Sequence, residues 1–149
     1  MALLLDTSLL GRLANAADPL HAVAAAAVLE LHRRGETLHL TSQVLIEFRN
    51  AATRPLAVNG LGHSIAKAEA TAASFEAKFS FLPETPDIFP AWKAIVASLG
   101  VIGKRVHDAR LIAICHVHQI THLLTFNTRH FVQMGTLPPG VVIVDPATV

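Results

Sequence analysis

The stretch that decides the fold is Leu3-Leu4-Leu5-Asp6-Thr7-Ser8. Three consecutive leucines without polar alternation predict a strand covered on both faces, as in a parallel sheet flanked by helices. Ser8 then offers an N-cap for a helix that begins around Leu9-Leu10. Asp6 therefore stands at the carboxyl end of a buried strand, the edge where open parallel sheets bind ligands. A carboxylate there is either a helix cap or part of a binding site, and Asp6 alone does not decide between the two.

The composition narrows the class of protein. A length of 149 residues suggests a single domain, spanning residues 1–149. Only 15% of the residues are charged and 52% are apolar, so we expect exposed apolar surface that faces a second copy or a protein partner. The net charge of +1 gives no global positive field, so any nucleic-acid site must be local.

The only cysteine, Cys115, excludes an internal disulfide and fits a reducing cytoplasm. It ends the apolar run Leu111-Ile112-Ala113-Ile114-Cys115, which predicts a buried small side chain. No secretory pattern opens the chain and no stretch is long enough to span a membrane. We therefore expect a cytoplasmic protein without a membrane partner.

Apolar runs alternate with segments of helical composition along the chain. Strands are predicted at residues 3–5, 36–41, 122–126 and 141–144, and residues 79–82 form a further short apolar piece. Helices are predicted at residues 9–15, 21–34, 43–53 (with Ser42 as N-cap), 65–79, 88–99 and 106–118. This alternation predicts an α/β fold with a mainly parallel central sheet of four to five strands.

Four polar residues recur at comparable places in this pattern. Asp6 ends the first strand, and Glu47 lies near the start of the helix after the second strand. Asp108 opens the helix after the Lys104-Arg105 loop, and Asn127 follows the strand at residues 122–126. If the strands are parallel, all four side chains converge at one edge of the sheet.

Carboxylates that converge in this way need a cation. Two carboxylates about 4 Å apart repel by roughly 4 kcal/mol at an effective dielectric near 20. A hard divalent cation removes that penalty and prefers oxygen ligands, which makes Mg²⁺ or Mn²⁺ the natural occupant. Such a site keeps metal-bound waters that can attack a phosphodiester.

The segments around these residues resemble the four signature segments of PIN-domain proteins. They occur in the family's order and at its spacings: Leu3-Leu4-Leu5-Asp6-Thr7-Ser8, Val44-Leu45-Ile46-Glu47-Phe48, Val106-His107-Asp108-Ala109-Arg110-Leu111 and Leu124-Thr125-Phe126-Asn127-Thr128-Arg129-His130-Phe131. The resemblance implies a three-layer α/β/α fold and a metal-dependent endoribonuclease, most often the toxin of a bacterial type II toxin–antitoxin pair.

The resemblance also assigns roles to the four polar residues. Asp6, Glu47 and Asp108 match the acidic positions of the motif, which implies that they hold Mg²⁺ or Mn²⁺ and carry the catalysis. Asn127 falls where many members have a fourth acid and others have Asn. An Asn keeps an oxygen acceptor but gives up a charge, so a second metal would bind less tightly here.

Other positions around the site follow from the same resemblance. Ser8 and Thr125 match hydroxyl positions that orient carboxylates or metal-bound waters. Lys104, Arg105 and Arg129 flank the site and are candidates for RNA-phosphate contacts, with scattered surface cations as the equal alternative.

The resemblance further implies a homodimer and a small antitoxin whose tail enters a groove beside the acids. An arginine from that tail would mimic the cation electrostatically and block RNA entry. The alanine-rich helices at residues 23–31 and 65–79 are the candidate contact surfaces, because their small side chains permit close approach of another helix.

Plainer interpretations of single residues remain open. Glu47 and Asp108 are each explained by the helix dipole, which favours acids in a first turn. Asn127 is explained as a turn residue after a strand. The site hypothesis fails only if all these explanations hold independently.

The histidines suggest a second chemistry. His116, His118 and His122, with Cys115 beside them, raise the alternative of a zinc site. Residues 116 and 118 on one helix point about 200° apart, so surface and interface histidines are the favoured interpretation. His107 adjoins Asp108 and is a candidate proton donor, although we expect it to point away from the site.

Several other functions compete with a ribonuclease. An aspartyl-phosphate phosphotransferase also places Asp after the first strand, but Asp6-Thr7-Ser8 lacks the second acid that this chemistry uses. No glycine-rich phosphate loop follows the strand, which excludes a dinucleotide-binding domain. A catalytically inactive PIN-fold module that binds RNA or protein, and a PIN nuclease of RNA processing unrelated to toxicity, remain the alternatives.

Overall fold

The computed structural model describes all residues, 1–149. Its centre is a five-stranded parallel sheet with the order β3-β2-β1-β4-β5. The strands are β1 (Ala2–Leu5), β2 (Thr37–Thr41), β3 (Ser80–Leu82), β4 (His122–Leu124) and β5 (Val142–Val144). The mainly parallel sheet predicted from the sequence is confirmed, and all of its pairings are parallel.

The leucine run forms the middle strand of this sheet. Leu3, Leu4 and Leu5 are at most 1% exposed, because β1 has a strand on either side and helices over both faces. The prediction of a fully covered strand is therefore confirmed.

Seven helices complete a three-layer α/β/α arrangement. They are α1 (Thr7–Leu13), α2 (His21–Arg33), α3 (Ser42–Thr53), α4 (Ile65–Lys78), α5 (Ile88–Leu99), α6 (Arg105–His118) and α7 (Thr128–Gly135). Helix α3 packs between α1 and α4, whereas α6 packs between α5 and α7. Short 3-10 helices occur at Leu56–Val58 and Pro146–Thr148.

Helices α1 and α3 begin earlier than the sequence predicts, and each has a different N-cap from the predicted one. Helix α1 starts at Thr7, and its N-cap is Asp6 rather than Ser8, because the Asp6 carboxylate accepts from the Ser8 N–H. Helix α3 starts at Ser42, and its N-cap is Thr41, whose hydroxyl accepts from the Val44 N–H at 3.3 Å. In both cases the cap is the last residue of the strand or the residue directly after it, so the strand passes into the helix without a separate turn.

Helix α7 is absent from the sequence prediction. It has only eight residues, and its main apolar anchors are Phe131 and Met134, which are buried. With only these two buried apolar side chains, α7 shows no repeat from which a helical period can be read. The packing of α7 against α6 and β5 explains why it forms.

The core is one continuous cluster of 31 buried residues. Cys115 is 0% exposed within it, which confirms the predicted buried thiol, and burial raises the pKa of that thiol far above its usual value. None of the helices is both long enough and apolar enough to cross a lipid bilayer.

Candidate functional site

An open cleft of about 920 Å³ lies at the carboxyl edge of the sheet. Asp6, Glu47, Asp108 and Asn127 all line it. Asp6 comes from the end of β1, and Glu47 is about one turn inside α3, which follows β2 directly. Helix α6 ends just before β4 begins, at the amino edge of the sheet. The first turn of α6, with Asp108, therefore lies at the carboxyl edge. The topology therefore brings the four sequence-predicted residues into one cleft.

Asp6 is the most buried of these residues, at 5% exposed. Its Oδ2 atom accepts from the hydroxyls of Ser8 and Thr125, both at 2.7 Å, and from the Ser8 N–H at 3.4 Å. These donors and the N-terminus of α1 offset the cost of burying the charge. All of them end on Oδ2, so Oδ1 has no protein partner.

The two hydroxyls that hold Asp6 are themselves fixed by the main chain. The Ser8 oxygen accepts from the Phe126 N–H at 3.2 Å, and the Thr125 oxygen accepts from the Asn127 N–H at 2.9 Å. The segment after β4 therefore sets the direction of both hydroxyls. This arrangement is what the predicted orienting role of Ser8 and Thr125 requires.

Glu47 is held through both of its oxygens. The Thr7 hydroxyl donates to Oε2 at 2.7 Å, and the Gln43 amide donates to Oε1 at 2.9 Å. Thr7 belongs to α1 and Gln43 to the first turn of α3, so the two helices share this carboxylate. Neither donor is charged, so the negative charge of Glu47 is not neutralised by the protein.

Asp108 is paired with two cationic or potentially cationic groups. Arg105 donates to its Oδ2 at 3.0 Å from one turn earlier in α6, and His130 Nδ1 lies 3.5 Å from the same oxygen. The Oδ1 atom has no protein partner. His130, on α7, escaped the sequence analysis because the helix that carries it was not predicted.

A second polar network is connected to Glu47 through Gln43. Gln43 also donates to the His107 carbonyl at 2.8 Å and accepts from Arg110 at 3.0 Å. Arg110 donates to Glu84 at 2.6 Å, and the Ser42 hydroxyl donates to the other oxygen of Glu84. These two donors, with Ser42 the larger effect, hold the pKa of Glu84 below its usual range.

The remaining predicted residues take different places. Lys104 lines the cleft and is exposed, and His107 lines it as well. Arg105 also lines it but is tied to Asp108. Arg129 does not line it; together with Arg105 and His130 it borders a separate pocket of about 500 Å³. Asn127 is exposed, and its side chain makes no capping hydrogen bond to α7.

The histidines of α6 and β4 do not gather around a common point. His118 Nε2 lies 2.9 Å from the Pro83 carbonyl, and Cys115 is enclosed in the core. Burial lowers the pKa values of His116 and His122. The zinc alternative therefore finds no support in the structure.

The cleft has the oxygen ligands that a divalent cation prefers, but they are not arranged around one point. No group of three or more His, Cys, Asp or Glu side chains is arranged as a metal-binding cluster. The three carboxylates share one cleft, and Asp6 and Asp108 each present an oxygen without a protein partner. Like charges repel, and donors from the protein hold Glu47 and Asp108 in other contacts. The donor set fits a hard cation, whose binding must draw these side chains together.

The fold and the cleft define a parallel α/β protein with an acidic site at the carboxyl edge of its sheet. The family model described as the PIN domain matches residues 3–137. The chain belongs to the PIN-domain family. Comparison with the curated proteins yields no significant match.

Solved structures share this fold at low sequence identity. VapBC2 from Rickettsia felis, bound to a DNA fragment from its promoter, is 15% identical with a TM-score of 0.71, covering 97% of this chain and 98% of its own. Mycobacterium tuberculosis VapC20, a toxin that cleaves the sarcin–ricin loop, is 22% identical with a TM-score of 0.63, covering 88% and 94%. VapBC-5 from the same organism, a member of the VapBC family of toxin–antitoxin systems, is 18% identical with a TM-score of 0.55, covering 97% and 96%.

Proposed function

We propose that this protein is a Mg²⁺- or Mn²⁺-dependent endoribonuclease. The main support for this proposal is that Asp6, Glu47 and Asp108 line the same cleft although they come from three separate elements: the end of β1, α3 and α6. Asn127 lines the cleft as well. Membership of the PIN-domain family supports it, as does the similarity in fold to VapC20, which cleaves the sarcin–ricin loop.

In this proposal Asp6 and Asp108 hold the cation, and Glu47 holds it or one of its waters. A bound divalent cation supplies an activated water for attack on phosphorus and stabilises the charge that develops there. Ser8 and Thr125 keep the Asp6 carboxylate aimed at the cleft through its Oδ2 atom, which leaves Oδ1 for the cation.

Hydrogen bonds from the protein also orient Glu47, the third acid of the cleft. Thr7 and Gln43 fix the direction of Glu47 without neutralising it, so the acid keeps its full attraction for a cation. Arg105 competes with the cation for Asp108, and cation binding must therefore displace or reorient that ion pair.

The direct test is cleavage of a structured RNA by the purified protein. We expect cleavage in Mg²⁺ or Mn²⁺ and none in EDTA. RNA binding without cleavage at any metal concentration would instead favour an inactive RNA-binding module and would contradict the proposed activity.

We further propose that the protein acts in the cytoplasm as the toxin of a type II toxin–antitoxin pair. The membership of VapBC-5 in a toxin–antitoxin family supports this.

Exposed apolar side chains border the cleft. Ile46, at 65% exposed, lines it, and Leu56 and Val58, at 77% and 57%, lie between the cleft-lining residues Arg54 and Asn59. Such a surface suits the apolar face of a helical antitoxin tail. Co-expression with the product of an adjacent small reading frame should yield a stable complex that no longer cleaves RNA.

A homodimer completes the proposal. Helix α2 exposes Leu29 at 72%, and α4 exposes Ile65 at 77%, on the two alanine-rich helices predicted as contact surfaces. Light scattering at micromolar concentrations should give twice the monomer mass. A monomeric mass throughout that range would contradict the dimer and leave the nuclease proposal untouched.

A further inference from the structure

We propose that Arg12 and Arg54 form a phosphate-binding subsite on one flank of the acidic cleft, where they hold the RNA backbone beside the cleavage site. This inference rests on the proposed ribonuclease function and names residues that the sequence analysis did not select. Both arginines line the cleft and are half-buried.

The cations of the cleft fall into two groups according to their partners. Arg105 is paired with Asp108 at 3.0 Å, and Arg110 is paired with Glu84 at 2.6 Å. Neither Arg12 nor Arg54 has a carboxylate partner. Lys104 also lacks one, but it is exposed and makes no hydrogen bond that would fix its ammonium group. Arg12 and Arg54 are therefore the cleft cations that combine free charge with a fixed position.

Two contacts hold the Arg12 guanidinium in place. Its Nη1 donates to the Ser8 carbonyl at 2.9 Å, and its central carbon lies 4.7 Å from the centroid of the Phe126 ring. Stacking on an aromatic ring orients a guanidinium plane without neutralising it. The Nε–H is buried and has no partner, so the fork is only partly satisfied by the protein.

Arg54 is held by the loop that follows α3. Its Nη2 donates to the Asn59 carbonyl at 3.0 Å, and its own carbonyl accepts from the Gly62 N–H at 2.9 Å. Gly60 packs so closely that an added Cβ would lie 1.8 Å from the Arg54 carbonyl oxygen. The Nε–H of Arg54 is also buried without a partner. The loop thus fixes a second guanidinium whose charge no carboxylate neutralises.

The two arginines lie on the same side of the acids. Arg12 follows Asp6 along α1, and Arg54 follows Glu47 along α3, each by a rise of roughly 10 Å at 1.5 Å per residue. The two helices pack against each other, and the Thr7–Glu47 hydrogen bond joins the first turn of α1 to the second turn of α3. The guanidinium groups therefore face a neighbouring phosphate of a bound strand rather than the phosphate at the acids.

A nucleic-acid backbone is the ligand that fits this charge pattern. It carries a negative charge at every nucleotide, so one strand can meet a cation at the acids and arginine forks further along. Guanidinium groups that are free of carboxylates but anchored on main-chain carbonyls suit bidentate phosphate contacts and pay little entropy on binding.

The test is a salt titration of binding. Fluorescence anisotropy would follow a short fluorescein-labelled oligouridine in EDTA, which prevents cleavage. Arg12→Gln and Arg54→Gln should each weaken binding about threefold or more at low salt and flatten the plot of log K against log salt by about 0.7. Arg12→Lys should keep the slope, because it keeps the charge. The matched control is Arg49→Gln, since Arg49 also belongs to α3 but pairs with Glu69 outside the cleft; it should bind like the wild type.

The outcomes separate this inference from the function on which it rests. If wild-type protein cleaves RNA in Mn²⁺ but folded Arg12→Gln and Arg54→Gln variants keep its affinity and slope, the subsite is wrong and the nuclease stands. If wild-type protein neither binds oligouridine nor cleaves RNA, the proposed function itself fails. Displacement of oligouridine by polyglutamate from the wild type, but not from Arg54→Gln, would assign the arginines to an acidic protein partner and would also overturn the inference.

Discussion

Asp6 combines two duties that the sequence presented as alternatives. Its carboxylate caps α1 through the Ser8 N–H, and the same side chain lines the acidic cleft. The two duties are compatible because a carboxylate has two oxygens. Oδ2 receives the cap and both hydroxyls, whereas Oδ1 has no protein partner.

Asn127 tests how far the acidic site depends on charge. The Asn127→Asp variant should bind Mn²⁺ more tightly, because a fourth carboxylate adds Coulombic attraction for a dication. We expect a change of roughly tenfold, which corresponds to about 1.4 kcal/mol. Its exposed side chain makes no hydrogen bond that the change would break, so the fold should persist. Calorimetric titration measures the affinity.

The control for this variant is Asn50→Asp, which adds the same charge elsewhere in the cleft. It should tighten Mn²⁺ binding less than Asn127→Asp does. Equal affinities for wild type and Asn127→Asp would mean that residue 127 lies outside the metal shell.

At the scale of elements, the sequence predicts what local patterns determine. The leucine run at residues 3–5 and the limits of α5 (Ile88–Leu99) were predicted correctly, because apolar runs and flanking Pro and Gly residues are local signals. The contacts around Glu47 and Asp108 were not. Arg110 donates to Gln43, which in turn donates to Glu47, and His130 lies beside Asp108. These contacts arise from the packing of distant segments, which leaves no trace in a local pattern.

The loop after α3 is the element whose geometry is most sensitive to a single methyl group. Gly60→Ala should lower the free energy of unfolding by about 2 kcal/mol, because the added Cβ would meet the Arg54 carbonyl oxygen at 1.8 Å and force the backbone apart. Chemical denaturation measures the change.

Gly11→Ala is the matched control, since a Cβ at Gly11 in α1 meets nothing within 4 Å. That variant should be neutral or more stable by up to about 1 kcal/mol, because Ala has a higher helix propensity than Gly. Equal stability of Gly60→Ala and wild type would show that the loop is not packed as described.

At the scale of the whole molecule, histidines set the response to acid. Burial lowers the pKa values of His63, His116 and His122 from 6.5, with Lys67 adding to the effect at His63. The folded state therefore keeps these rings neutral at pH values where the unfolded chain already binds protons. The free energy of unfolding should accordingly fall as the pH drops below about 6.5.

Denaturation midpoints measured between pH 7.5 and 5.5 test this expectation. The His116→Gln variant should show a shallower dependence, because it removes one of the protons that only the unfolded state takes up. A free energy of unfolding that stays level or rises towards pH 5.5 would contradict the assignment of neutral, partly buried rings.

The central claim is that the acids of the cleft hold a catalytic cation, and one measurement tests it most directly. The rate of RNA cleavage in Mn²⁺ should be compared for wild type, Asp6→Asn and Asp108→Asn. Glu69→Gln serves as the control, because it removes an acid outside the cleft. Asn caps a helix as well as Asp does, so Asp6→Asn keeps the cap of α1. Asp108 caps no helix, and Asp108→Asn removes only a partly exposed ion pair with Arg105. Both site variants should therefore keep their melting temperatures within a few degrees.

We expect Asp6→Asn and Asp108→Asn to lose cleavage by about a hundredfold or more, the scale of losing one group that stabilises a transition state electrostatically. Glu69→Gln should cleave at the wild-type rate. Near-normal cleavage by folded Asp6→Asn and Asp108→Asn would contradict the account.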